Sequence, residues 1–376
     1  MSRPELGDLV APLAPIGDPA WAVGGGVRDA LMGLPVTDLD VAVAGDAASA
    51  AAALCRAHGA TRFRLSRAFG AWRVQGGSVS AQVDITPLQG ATIEEDLGRR
   101  DLTVNALAVP AGAPGTILDP YGGLDDLAAG RLRVVGPRSL ADDPVRLLRL
   151  ARMAELTGFA VEPATIAVAR RDAGLLWNAP GERLADELGR IARLPRPDRA
   201  VALMDELGVL TALVPELEES RGLDQSAYHH RDVLGHTLEV VERVVEIAAD
   251  PEPVFRGRAP RVAEVLAAPL ADELTRRDAL LFPALLHDMA KPATRAVTPE
   301  GRVTFFGHDR LGAEMAEAVM RRLRTSSRLR EFVVACVRWH LPLGFMVHRT
   351  PLSLRQIDRY LRQTAPWEVE LTARKR

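Results

Sequence analysis

The chain has 376 residues, 47% hydrophobic and 26% charged, with a formal net charge of −2. That fits a soluble protein of two or three domains and excludes nucleic-acid binding by overall charge, so any RNA contact must come from local patches. Cys55 and Cys336 have no CxxC partner, which excludes a disulfide framework or a thiolate zinc site and points to a reducing cytoplasm. No early apolar run has the length of a signal peptide or membrane span. Lys291 and Lys375 are the only lysines, so guanidinium groups carry nearly all the positive charge.

In chain order, "WAV" before Gly24 reads as a strand, "VRDALMG" as a helix closed by Gly33, and "DLDVAVA" as an alternating strand. "AASAAAALCRAHG" reads as a helix ending at Gly59. "AWRVQ" and "SAQVDITPL" read as strands joined at Gly76-Gly77, and residues 61–75 are treated as an arginine-bearing loop. After about residue 138 the strand signals vanish. "PVRLLRLARMAEL", "RLADELGRIARL" and "RAVALMDELGVLTALVPEL" have helical spacing, with "DPEPVFRGRAP" as an exposed loop. The expected fold is α+β: a head with a small mixed sheet (1–137), a helical neck (138–220), and a helical domain with a tail (221–376).

Asp38 and Asp40 are two apart on one strand, so both side chains leave the same face while Leu39, Val41 and Val43 take the other. Two carboxylates on one exposed face suit hard divalent cations. Asp84, on a later strand, is a third candidate ligand. Such a group can hold two magnesium ions, one activating an attacking hydroxyl and one stabilising a leaving pyrophosphate. Gly24 and Gly25 precede a helix start, where backbone N–H groups suit a triphosphate; Arg28 would add charge and Asp29 would orient it.

"GGGVRD" followed by "DLD" resembles the first motif of the class II tRNA nucleotidyltransferase (CCA-adding) and bacterial poly(A) polymerase family. "RRDLTVNA" (99–106), "DPYGGLDDL" (119–127), "DDPVRLLRLAR" (142–152) and "GERLADEL" (181–188) resemble its later motifs in order, with Asp142 where glutamate is usual. The resemblance implies ribose and phosphate contacts from Arg99, Arg100, Asp101, Thr103 and Asn105. The "DPYGG" stretch has turn chemistry, and Gly122 and Gly123 read as a hinge between head and neck. The resemblance makes Asp143 and Arg146, with Arg149 a turn further, a protein template for CTP and ATP. A carboxylate accepts from an exocyclic amine and a guanidinium donates to ring acceptors, a pattern that cytosine and adenine match. Glu182, Arg183 and Asp186 are expected to brace that template. Arg190, Arg193, Arg196 and Arg199, and Arg321, Arg322, Arg324, Arg328 and Arg330, are candidate tRNA contacts; binding through them would weaken as salt rises.

"YHHRDVLGHTLEVVERV", "ALLFPALLHDMAKP", "FFGHDRLGAEMA" and "CVRWHLP" offer His236, His287 with Asp288, His308 and His340. Imidazoles with a carboxylate suit transition metals. Over about 225–345 the pattern resembles the HD domain of metal-dependent phosphohydrolases, which implies nickel, manganese or cobalt on His236, His287 and Asp288. Asp309 and Asp358 are the candidates for its usual later aspartate. Together these features predict a cytoplasmic magnesium-dependent enzyme that adds CTP- and ATP-derived nucleotides to the 3′ end of tRNA or another RNA. The alternatives are an A-adding enzyme or poly(A) polymerase, and a phosphohydrolase acting through the HD-like region.

Overall fold

The alternation in "DLDVAV" is the organising feature of the first of two compact units, Met1–Arg146 with Thr157–Val168. The structure, a computed structural model, describes residues 6–364 apart from 18, 68, 80, 226–230 and 348–350. After a short helix α1 (Leu6–Val10) come β1 (Ala20–Val23), α2 (Gly25–Leu31), β2 (Asp38–Val43) and α3 (Ala47–His58). β3 (Thr61–Ser66), β4 (Ala71–Gln75), β5 (Gln82–Pro87), α4 (Ile93–Gly98), β6 (Ala108–Pro110) and α5 (Gly123–Ala128) follow. The strands form one mixed sheet in the order β3-β4-β5-β2-β1-β6, with only the β2–β5 pairing parallel.

The sheet has two unlike faces. Leu39, Val41, Val43, Val74, Val83 and Ile85 are buried in one core with Ala47, Ala51 and Leu54 of α3 and Val27 of α2. Burial of each large side chain stabilises by about 1.5–3 kcal/mol. On the other face, Val23, Ala42 and Ala108 pack with Ile93 and Leu97 of α4. Asp38 and Asp40 lie exposed on that second face. Asp46 caps α3, its carboxylate accepting from the N–H groups of Ala48 and Ser49 at 3.3 and 2.9 Å.

Residues 61–75 are not a loop. They form the hairpin β3–β4, with Arg64 opposite Trp72 and Phe63 opposite Arg73. The strand signal was hidden because the apolar Phe63 and Leu65 are exposed, while Arg62 and Arg64 lie over the Trp72 ring. Gly122 and Gly123 fall within this first unit. Asp119 accepts from the N–H groups of Gly123 and Leu124 at 2.6 and 2.9 Å, capping α5. A Cβ on Gly123 would stand 2.2 Å from the Thr103 carbonyl oxygen, so this glycine permits a close packing contact.

The second unit, Leu147–Leu156 with Ala169–Arg376, is helical with short ribbons. The chain leaves the first unit through α6 (Ser139–Asp142) and within α7 (Val145–Thr157), returns to it over Thr157–Val168, and leaves again within α8 (Pro163–Asp172). Next come α9 (Gly181–Ala192) and the helix Pro197–Glu206. Long helices Val233–Ala249, His308–Arg322 and Ser327–Val347, the last kinked at Trp339, carry the later histidines. The strand signal does not end at residue 138: two-stranded ribbons pair Pro269–Ala271 with Leu274–Thr275 and Ala296–Val297 with Val303–Thr304, and Ala160–Val161 pairs with Arg131–Leu132. These strands have only two or three residues, too few for a visible period. Residues 250–260 include the helix Glu252–Phe255 and the start of Ala259–Ala267, each with proline in its first turn.

Asp126 is fully buried, accepting from Thr103 Oγ1 at 2.6 Å and from Nε of Arg131 and Arg133 at 2.6 and 2.8 Å. Burial alone would raise its pKa; these donors outweigh that and hold it below the usual carboxylate value. Asp126→Ala should lower the unfolding free energy of the first unit by about 1.5–3 kcal/mol, read from urea denaturation, because the half-exposed Arg131 and Arg133 regain water while Thr103 loses its charged acceptor. Because the folded pKa is depressed, the stabilisation is complete above the unfolded value of about 3.9 and is lost as pH falls through the folded one. The wild-type advantage over Asp126→Ala should therefore shrink below about pH 4.

Candidate functional site

The acidic face begins where β2 leaves the core. Asp38 Oδ1 accepts from Gln82 Nε2 at 2.7 Å and Oδ2 from Thr37 Oγ1 at 3.0 Å. Gln82 is the register partner of Asp38 on β5, so the sheet itself aims this carboxylate. Asp40 is paired in register with Asp84, which brings the third predicted carboxylate onto the same face. Asp84 is already engaged: Arg73 donates from Nε to Oδ1 and from Nη2 to Oδ2, both at 2.7 Å. That bidentate bond raises the Arg73 pKa, with further help from Asp38 and Asp40. Asp38 and Asp40 are thus the outward pair, and Asp84 is neutralised beside them.

Gly24 borders this pair with φ of +76°, a conformation that L side chains rarely adopt. A Cβ there would lie 2.6 Å from Nη1 of Arg100 and 3.3 Å from Oδ2 of Asp40, so the missing side chain lets the turn, Arg100 and Asp40 meet. Gly24 and Gly25 lead into α2 as predicted. Arg28 is 5% exposed and faces inward: Nε and Nη2 donate to Asp29 Oδ1 at 2.9 and 2.7 Å, and Nη1 to Asn105 Oδ1 at 2.6 Å. Asn105 Nδ2 in turn donates to Asp101 Oδ1 at 3.0 Å. This buried chain joins the glycine turn to the 99–106 stretch; Arg99 stays exposed, and Arg100 bonds Asp96 at 3.3 Å.

Asp143 and Arg146 sit together, Nε to Oδ2 at 3.9 Å. Arg146 also donates from Nη1 to the Ser139 carbonyl at 2.8 Å and from Nη2 to the Arg99 carbonyl at 2.6 Å. In the second unit, Glu187, 3% exposed, holds Arg152 at 2.5 Å and Arg149 at 3.8 Å. Glu187 is the residue sequence reasoning missed. It faces inward from α9, whereas Glu182, Arg183 and Asp186 are exposed on that helix and Glu182 pairs with Arg324 at 2.6 Å. The helical spacing of Glu187, three residues after Leu184 and one before Leu188 on the buried face, was the available signal. The arginine runs are largely spent inside the unit: Arg193 on Glu273, Arg196 on Asp198, Arg321 on Glu317 and Arg322 on Glu216.

A second centre gathers His236, His287, Asp288, His308 and His340. Asp288 is 2% exposed. Its Oδ2 lies 3.0 Å from His287 Nε2 and 3.6 Å from His236 Nε2; its Oδ1 lies 3.3 Å from His308 Nε2 and 3.8 Å from His340 Nε2. Nδ1 of His287, His308 and His340 meets the carbonyls of Ala284, Phe305 and Val337 at 2.9, 2.7 and 2.7 Å. Each carbonyl only accepts, so each Nδ1 carries a proton and, wherever the ring is neutral, its Nε2 turns a lone pair inward. The Nε2 atoms of His308 and His340 are then 3.3 Å apart, acceptor against acceptor. Only a proton or a cation between them relieves that repulsion, and the same holds for His287 against Asp288. The set fits a metal ion, with the outward nitrogens anchored as metal-binding imidazoles usually are.

Burial alone would raise the Asp288 pKa, but His287, His308 and Lys291 hold it far below the usual range. Burial lowers His340 to about 4, whereas the bonds to Asp288 and Phe305 overcome burial and raise His308. Lys291 Nζ bridges Asp288 Oδ2 at 2.7 Å and Gln225 Oε1 at 2.6 Å, a partner not expected from sequence. Asp309 and Asp358 do not join: they pair with Arg338 and Arg362, and His308 and His340 stand beside Asp288 instead. Tyr228, His229 and His230 of the first histidine stretch lie outside the described residues. Among the described residues, no helix is long and apolar enough to cross a membrane.

Comparisons with known proteins follow this division. The poly A polymerase head domain family matches residues 20–90 and 60–133, the family described as the probable RNA and SrmB-binding site of polymerase A matches 158–220, and the HD domain family matches 233–363. The chain is 36% identical over 336 residues to the A-adding tRNA nucleotidyltransferase of Deinococcus radiodurans, covering 88% of this chain and 70% of that protein. It is 36% identical over 328 residues to the CC-adding tRNA nucleotidyltransferase of Thermus thermophilus, covering 86% and 68%. It is 34% identical over 338 residues to a multifunctional CCA protein of an Azoarcus species, covering 85% and 73%. Among solved structures, a tRNA-processing enzyme without ligand shares the fold with a TM-score of 0.68 at 23% identity, covering 98% of this chain and 86% of that one. The Thermotoga maritima CCA-adding enzyme, solved with tRNA, does so with a TM-score of 0.63 at 21% identity, covering 97% and 80%. The chain is therefore an enzyme of the tRNA nucleotidyltransferase and poly(A) polymerase family.

Proposed function

We propose that the chain transfers nucleotidyl groups from CTP and ATP to the 3′ end of tRNA, completing or repairing its CCA terminus. The observation that carries this is the outward pair Asp38 and Asp40, on the open face of the sheet beside Gly24 and Arg100. Two oxygen-donor side chains on one face fit hard divalent cations. Magnesium held by Asp38 and Asp40 would supply Lewis acidity for attack by the terminal ribose hydroxyl and departure of pyrophosphate. The chain's own residues do the rest. Gln82 and Thr37 hold Asp38 in place, and Arg73 removes the charge of Asp84 from the cluster. Gly24, Gly25 and Arg100 leave room and positive potential for the triphosphate. Arg28, tied to Asn105, braces the turn from below.

Asp143 and Arg146 serve as the base-reading pair. The carboxylate accepts from an exocyclic amine, so cytosine and adenine fit and uracil and guanine do not. Reading through Arg146 exchanges one of its bonds to the carbonyls of Ser139 and Arg99 for a ring acceptor of the base. The equal identity to an A-adding and a CC-adding enzyme favours a second reading, in which only part of the CCA end is made. Incorporation of labelled CTP and ATP into tRNA lacking its last three, two or one nucleotides separates the two. Addition at all three ends supports complete CCA synthesis, addition at one class of end supports the partial reading, and no addition at any end overturns both.

The histidine centre supports a separate activity, hydrolysis of phosphoesters with nickel, manganese or cobalt. The facing lone pairs of His308 and His340 favour it.

Three outcomes are expected. Asp40→Asn should reduce incorporation by more than about 10²-fold, the scale of losing one charge-stabilising contact at a reacting centre, with an unchanged circular dichroism spectrum. Asp143→Ala should narrow the preference for CTP over UTP by about 5- to 100-fold, as loss of a paired base contact worth about 1–3 kcal/mol predicts. His287→Ala should abolish nickel binding, measured by titration calorimetry, and any phosphoester hydrolysis, while CTP incorporation persists.

A further inference from the structure

We propose that the exposed edge of the head sheet, centred on Phe63, is a stacking platform for a base of the RNA strand just behind its reacting 3′ end. The inference rests on the 3′-end transfer reading above and adds to it the path of the RNA. Strand register carries the argument. Asp40 pairs with Asp84, Asp84 with Arg73, and Arg73 with Phe63, one residue from each of four neighbouring strands. Residues opposite one another across a ladder share a face. Phe63 therefore stands on the same face as Asp38 and Asp40, at the far end of a row that starts at the acidic pair. Three strand spacings put it about 14 Å away. Stacked nucleotides advance about 3.4 Å each, so a base on Phe63 is no more than about four nucleotides behind the terminal ribose.

The surface has no structural use for its apolar groups. Phe63 is 44% exposed and Phe69, in the turn, 65%. The opposite face of the hairpin is closed: Trp72 packs against the core, with the Arg62 and Arg64 guanidinium carbons 4.9 and 5.2 Å from its ring centre. Residues 61–73 hold four arginines and no carboxylate in a chain of net charge −2. Arg73 is taken by Asp84, while Arg62, Arg64 and Arg67 form no ion pair among the described residues. Several arginines of the other runs are held in ion pairs, whereas here an exposed aromatic ring closes the acidic row and Arg62 and Arg64 flank it from the Trp72 face of the same hairpin. Exposed aromatic faces beside a cationic strand are what a single-stranded nucleic acid binds, its bases stacking on the rings.

The test compares wild type, Phe63→Ala and Phe63→Trp on tRNA lacking CCA. Loss of one stacked base at about 1–3 kcal/mol predicts a KM for tRNA raised about 5- to 100-fold in Phe63→Ala, with the KM for CTP at its wild-type value. Phe63→Trp should restore the KM for tRNA. A 2-aminopurine placed within the last four nucleotides should be quenched by wild type and Phe63→Trp and not by Phe63→Ala. An unchanged KM for tRNA in Phe63→Ala overturns the platform while leaving the transfer reading intact, and so does equal quenching by all three proteins. A wild-type enzyme that extends no RNA removes both. Should Phe63→Ala fail to fold, the probe decides with wild type alone: no quenching at any of the four positions overturns the proposal. Sedimentation of wild type as a dimer that Phe63→Ala converts to monomer assigns the edge to a second copy of the chain and overturns it as well.

Discussion

One strand, Asp38–Val43, sets both the core and the acidic face of the head. Because side chains alternate, burying Leu39, Val41 and Val43 against α3 forces Asp38 and Asp40 outward. A slip of one residue would bury both carboxylates and expose the valines, so the register that maximises burial is also the one that builds the site. It is held from both sides, by antiparallel pairing with β1 and parallel pairing with β5. Stability and chemistry are thus not in competition at β2. The neighbours follow the same logic: Gln82 and Asp84 face the acidic pair because Val83 and Ile85 face the core.

The histidine centre obeys a different constraint. Three imidazoles spend their protonated nitrogens on carbonyls of their own helical turns, leaving acceptors to meet acceptors around a buried carboxylate. Such a cluster is costly without positive charge at its middle, and Lys291 meets only one oxygen of Asp288. A cation bound there would stabilise the surrounding helices as it neutralised the cluster, coupling occupancy to the folding of that region.

Much of this was legible from residue order. The outward pair followed from alternation alone, and the glycine turn from its place before a helix. The helices after residue 138 followed from their apolar spacing. What was not legible has physical reasons. The β3 strand inverts the usual pattern, with phenylalanine outside and arginine laid over tryptophan, so its period carried the wrong sign. Arg73 neutralises Asp84 across two strands, a pairing fixed by register that local spacing does not contain. Glu187 is a charged residue on a buried face, readable only once Arg149 and Arg152 are known to meet it. The later aspartate sought for the histidine centre was the wrong residue type: Asp309 and Asp358 each sit within reach of a nearby arginine, and two histidines stand in that place.

The internal pairing of Arg193, Arg196, Arg321 and Arg322 has a consequence for how RNA is handled. A guanidinium already neutralised by a carboxylate displaces few condensed ions from a polynucleotide, so it adds little to the ion-release entropy that drives indiscriminate association. Whatever grip the chain has on a long polyanion would then come from guanidinium groups outside these four pairs.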